Sequence, residues 1–269
     1  MRMALKMNNY WAERQAKAQE ELTTRSIKKT EKQIQKYYLN CYKNLLGQFE
    51  STYNAVFSQM SEGKDITPAH LYNLDKYWKL QAELKTELEK LGYKQLSKLE
   101  DEFKKLYTAI YLSIDLPTSD KSWATLDKEV VNKVINSIWC ADGKAWSQRV
   151  WENTDKLQQA LNDNLIDCVI NGRNPSELKK LLMKDFGVSY ERANTLVTTE
   201  MAHIQTEAAR DRYRKSGCQE VEVYGEEDER RCDICGKLNG KRFQINGVMP
   251  IPAHPNCRCC LIPVVEIDT

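Results

Sequence analysis

Cys232-Asp-Ile-Cys235, eighteen intervening positions, then His254-Pro-Asn-Cys257-Arg-Cys259-Cys260 is the stretch on which the reading of this chain turns. Two short clips of metal-seeking side chains face each other across a spacer with the composition of a hairpin. A Cys-x-x-Cys turn lets two thiolates reach one ion, and a His-x-x-Cys turn does the same from the other side. Zinc takes four such ligands at tetrahedral corners. The candidate metal ligands are therefore Cys232, Cys235, His254 and Cys257, with Cys259 as the alternate to Cys257. Two blander readings stand beside this one: reduced thiols that hold nothing, and a disulfide framework.

Composition favours the metal. Six of the nine cysteines fall between Cys218 and Cys260, and nine is an odd count for paired disulfides. The opening residues Met1-Arg-Met-Ala-Leu-Lys6 lack the apolar core of a secretory signal, so an oxidising compartment is not expected. No run of eighteen apolar residues occurs, which excludes a membrane-spanning helix as an expectation. The chain has 269 residues, 41% of them hydrophobic and 29% charged, a mixture suited to long helices with solvated faces. A net charge of +2 does not mark the whole chain as a nucleic-acid binder.

Upstream of the clips the periodicity is helical. Ile27, Ile34, Tyr38, Cys41, Leu45, Phe49 and Val56 recur at the steps of one helix face. Residues 1–47 carry ten Lys/Arg against four Asp/Glu, a local excess of +6. That excess suits either a solvated face or contact with DNA or an acidic partner. Tyr10 and Trp11 add large apolar surface near the start. After a turn at Ser61-Glu-Gly63, Thr67-Pro68 reads as a helix start. Leu74, Trp78, Leu84, Leu88, Leu91, Leu96, Leu99, Phe103, Leu106 and Ile110 then form a seam that predicts an antiparallel helical hairpin or short coiled-coil arm, with Gly92 as a break.

Asp115-Leu-Pro117-Thr-Ser-Asp120 reads as a linker. Helices are expected again over 127–139 and 157–170, with Trp139, Trp146 and Trp151 burying surface where helices meet and Arg149 among them. Asn171-Gly172 ends one helix and Asn174-Pro175 starts the next, which Gly187-Val-Ser189 is expected to break. A last helix, 190–216, carries Glu200 and His203 on one face. That pair reads as a buried hydrogen-bonding or ion-pair group, with Arg192 or Arg258 as partner for Glu200, or as a metal-ligand or acid/base pair. Beyond Gly217 the period changes to that of strands, with Val221–Tyr224 alternating, Asn246-Gly247 signalling a hairpin, and 261–267 forming a final strand near an edge because of Pro263. The fold class expected is mainly α with a small C-terminal β element (α+β). It comprises a helical arm over 1–116 and a compact helical domain over 121–269 whose metal-pinned sheet spans about 218–267.

The residues Arg192…Thr199-Glu200, then Asp228-Glu-Arg230-Arg-Cys232-Asp-Ile-Cys235-Gly-Lys-Leu-Asn239-Gly240-Lys-Arg-Phe243, then Ile251-Pro-Ala-His254-Pro-Asn-Cys257-Arg-Cys259 resemble the phage head-morphogenesis family of minor head proteins similar to the F protein of bacteriophage Mu. The likeness is densest over 190–265 and extends loosely to about residue 125. Asn239 stands where the family more often has Asp, and Arg231 where Thr is usual. The resemblance implies a structural protein of the virion, at the capsid interior or portal vertex and made in the bacterial host cytoplasm. Portal and capsid proteins are the partners it implies, in head assembly and in packaging or ejection of DNA. Packaged DNA is a further candidate partner for the basic residues 1–47. No enzyme activity, membrane or small-molecule substrate is expected, and Zn2+ would be structural. The alternatives are a zinc-dependent, hydrolase-like enzyme using Glu200 with His203 or Cys257 with His254, and a DNA-binding module.

Overall fold

A computed structural model describes residues 2–60, 68–73, 75–114, 126–225, 228–229 and 231–264. The expected turn at 61–63, the Thr67 cap, Leu74, the linker at 115–120 with the domain boundary drawn there, and residues 265–267 of the last strand lie outside them.

The chain is mainly α with a small antiparallel sheet near its C-terminus. The helices are α1 (Arg2–Met60), α2 (Pro68–Tyr72), α3 (Asp75–Ser113), α4 (Lys128–Ile135), α5 (Trp146–Ile170), α6 (Pro175–Lys215) and α7 (Asp233–Leu238). The strands are β1 (Glu220–Tyr224), β2 (Arg242–Gln244) and β3 (Cys260–Pro263). Local chemistry sets several ends. Asp127 caps α4 by accepting from the Glu129 amide, and Asn174 does so for the Ser176 amide ahead of α6. Gly172 and Gly217 sit at φ 56° and 84°, left-handed positions that close α5 and α6.

Residues group into two compact units. One comprises 31–98 and 144–194. Here the face of α1 expected to be apolar is buried from Ile34 through Val56, against Leu84, Leu88 and Leu91 of α3. Cys41 Sγ meets the Glu87 carbonyl and Thr52 Oγ1 meets that of Lys76, so α1 and α3 run antiparallel. A buried polar layer crosses this core. Tyr38 Oη accepts from Asn153 Nδ2 at 2.9 Å and lies 3.2 Å from Ser189 Oγ, while the Ser189 carbonyl also accepts from Asn153. Burial pushes the Tyr38 phenol up to about 12.

Three helix expectations need correction. Gly92 does not break α3, because its bare Cα is where Trp151 of α5 packs: a Cβ there would meet the indole at 2.4 Å. Gly187 does not break α6, since the neighbouring Ser189 is tied into the polar layer and offsets the roughly 1 kcal/mol a mid-helix glycine costs. Trp78 is not in the seam; it is 59% exposed, its Nε1 donating to the Tyr72 carbonyl. Two helix spans shift as well. α4 stops at Ile135, where Asn136 caps it, leaving Ile138 exposed, and α5 starts at Trp146, eleven residues ahead of Leu157.

The other unit comprises 1–30, 99–143 and 195–269. Its sheet has the order β2-β1-β3, both pairs antiparallel, with Val221 opposite Phe243 and Pro263. Pro263 does lie on an edge strand, as its missing amide requires. The Asn246-Gly247 turn follows β2 but makes no hairpin there, because β2 pairs back onto β1 and β3 takes the opposite edge. The last turns of α6 decide this. Arg210 donates to the carbonyls of Ile245 and Gly247, and Arg214 to Asn246 Oδ1, so the turn is held on the helix.

Candidate metal centre

Cys232 ends the loop before α7 and serves as its N-cap, its Sγ accepting from the Cys235 amide at 3.4 Å. A thiolate there is stabilised by that amide, which holds Cys232 below the usual thiol range. Cys235, one helical turn on, is buried, and burial pushes its thiol up to about 12. The second clip is a tight turn in which the Cys257 amide donates to the His254 carbonyl. Asn256 occupies the left-handed region at φ 61°, and its amide donates to Thr199 Oγ1 of α6. That bond, with Tyr213 Oη donating to the Leu261 carbonyl, fixes the clip and β3 on α6.

The two clips meet. His254 Nε2 lies 3.2 Å from Cys232 Sγ and 3.0 Å from Cys235 Sγ. Cys235 Sγ is 3.7 Å from Cys257 Sγ. The ligand atoms of Cys232, Cys235 and His254 lie within 4.8 Å of one another, as do those of Cys235, Cys257 and Cys259. Cys235 belongs to both groups. A tetrahedral zinc with sulfur at about 2.3 Å sets sulfurs about 3.8 Å apart. The Cys235–Cys257 edge has that length.

Tautomer and charge suit a cation. His254 Nδ1 lies 2.8 Å from the Pro255 carbonyl, so that nitrogen carries the proton and leaves Nε2 with its lone pair toward the thiols. The hydrogen bond to that carbonyl raises the basicity of the ring. Cys257 is lowered to about 5, chiefly because the Cys259 thiol donates to it, and Cys259 is raised by the same bond. Gly225 makes room for this pair: a Cβ there would come within 3.3 Å of Cys259 Sγ. Asn239, the departure noted in sequence, accepts from the Gly225 amide through Oδ1. The Cys- and His-rich cluster of Cys232, Cys235, His254, Cys257 and Cys259 is thus able to hold a metal ion.

The Glu200–His203 pair lies elsewhere on α6. Trp139 Nε1 donates to Glu200 Oε2 at 2.9 Å, and the same indole stacks on His203 with ring centroids 4.5 Å apart. His203 Nε2 is 3.2 Å from Ser137 Oγ, and burial lowers the imidazole to about 4. Glu200 and His203 are therefore buried polar groups of a packed corner. Among the described residues, neither belongs to a group able to hold a metal. Arg258 donates with both Nη atoms to Asp228, and Arg192 lines a shallow groove with Asp163 and Asp185 in the unit of residues 31–98 and 144–194. For the other nucleophile pair, the sulfurs nearest His254 Nε2 are those of Cys232 and Cys235. Sequence reasoning missed Trp139 and Thr199 as supports, because each acts on a residue far from it in the chain.

Residues 159–262 match the family described as Phage Mu protein F like protein, a span that starts within α5 and ends in β3. No curated protein and no solved structure matches the chain.

Proposed function

We propose that this chain, which carries a Phage Mu protein F like region over residues 159–262, is a structural minor head protein of a tailed phage or prophage. It acts in head assembly beside portal and capsid subunits, in the capsid interior or at the portal vertex. The basic residues 1–47 face packaged DNA or an acidic partner surface. The protein turns over no substrate. Zn2+ is held by Cys232, Cys235, His254 and Cys257, with Cys259 as alternate, and its contribution is a cross-link with every corner taken by protein. The observation that carries this reading is the meeting of the two clips inside the family-matched region, where two triads of ligand atoms share Cys235.

A three-strand sheet buries little apolar surface on its own. Metal binding is worth about 10 kcal/mol or more in isolated zinc modules, enough to make such a sheet rigid. Rigidity is what a building part needs.

Expression of the chain with the portal protein of its own genome tests the biological half. Co-purification with the portal ring, and recovery of the chain in filled heads by mass spectrometry, is the expected result. Heads that form normally without it and never contain it would overturn the assignment.

A further inference from the structure

The cluster is not covered by the C-terminal segment alone. Gln19, in the first third of α1, donates through Nε2 to Tyr213 Oη at 2.9 Å and to the Leu261 carbonyl at 3.2 Å. Ala16, one turn earlier, packs on Cys260 and Ile262 of β3. Glu20 lines the cavity into which Cys232, Cys235, His254 and Cys259 open. Ala16 and Gln19 thus place one short stretch of α1 on the strand that immediately follows the second clip, and Glu20 places it beside the cluster's cavity.

The seam under this stretch differs from the rest of the helix. From Ile34 to Val56 the buried face of α1 is mostly apolar. From Gln15 to Thr30 it is Gln15, Ala16, Gln19, Thr23 and Thr30. Gln19 Oε1, Thr23 Oγ1 and Thr30 Oγ1 are buried with no hydrogen-bond partner among the described residues. Unmatched buried polar groups oppose docking, and a polar face costs little when exposed to water. The helix between Ala16 and Thr23 therefore holds its place through what β3 and Tyr213 offer it. Tyr213 belongs to α6, but the Leu261 carbonyl and the Cys260–Ile262 surface belong to β3, which is continuous with Cys257 and Cys259.

We propose that residues 11–23 form a latch whose docking on the C-terminal module is set by metal occupancy of the Cys/His cluster. The inference rests on the zinc reading above. With the clips joined, β3 presents the Leu261 carbonyl and the Cys260–Ile262 surface, and the helix seats. With the clips parted, β3 keeps its pairing with β1 and its bond from Tyr213. It loses the tether through Cys257 to Cys235, so the surface it presents is held less firmly and the stretch bearing Arg14 and Lys17 is released more often. Coupling is reciprocal, so seating the latch also tightens the hold on the ion.

Hydrogen exchange of the full chain, with zinc and after chelation, reads the latch directly. Metal analysis on the same samples gives stoichiometry. Chelation is expected to speed exchange over 11–23 by at least about tenfold while 34–56 keeps its protection. Ala16→Arg, which cannot seat against Ile262, should free 11–23 with zinc still bound and weaken zinc affinity about tenfold. Zinc uptake with unchanged exchange over 11–23 on its removal overturns the latch alone. Failure to take up zinc overturns the zinc reading and the latch with it.

Discussion

Cys232 is the most exposed sulfur of the cluster, yet it holds two roles, capping α7 and approaching the His254 ring. Serine keeps a cap but is a poor zinc ligand. Cys232→Ser is expected to bring bound metal below one per chain and to destabilise the module. Metal analysis and protease cleavage within 218–264 check both. His203 behaves oppositely to a ligand. Its folded pKa of about 4 lies below the unfolded value near 6.5. The neutral ring therefore contributes stability that is complete above pH 6.5 and drains away as the pH falls toward 4. Between pH 7 and pH 5 the loss is about 2 kcal/mol. His203→Phe keeps a ring against Trp139 and removes the titration, so urea melts at the two pH values should differ by about that much less than in the parent. Spacing alone exposed the ligand candidates, because clip chemistry is local. A buried hydrogen-bonding role for Glu200 was legible too, but its partner was not, because Trp139 lies sixty-one positions upstream.

At the scale of elements, glycine misled where packing overrode propensity. Gly92 read as a break because nothing near it in sequence announces Trp151. Ala in place of glycine would normally help an α-helix by about 1 kcal/mol. Here the new methyl would run into the indole, so Gly92→Ala should destabilise by about 1–2 kcal/mol in chemical melts. A gain in stability would mean the ring swings aside freely. The seam of α1, the starts at Asn174 and Asp127, and β1 were legible, since periodicity and caps are written within a few residues. The pairing of β2 was not. Asn246-Gly247 is a sound turn signal, but the choice of neighbour belonged to Arg210 and Arg214, one helix away.

For the whole molecule, the two compact units differ in what holds them. None of the five cluster residues lies in 31–98 or 144–194. Calorimetry with and without chelator should therefore move one transition and spare the other. The metal-dependent transition is expected to fall by more than about 5 °C, while that of the apolar helical core stays in place. A single transition that shifts as one would show the two units unfolding together.

The donors Cys232 to Cys259 also follow α1 through α6 in chain order. A nascent chain thus brings its helices out of the ribosome before the first thiol can find the imidazole. On the zinc reading, a cell starved of the ion would stall only at that closing step. It would accumulate helical bodies with an unsealed end, ready substrates for proteases, so that joining the clips doubles as a final inspection before a subunit enters a particle.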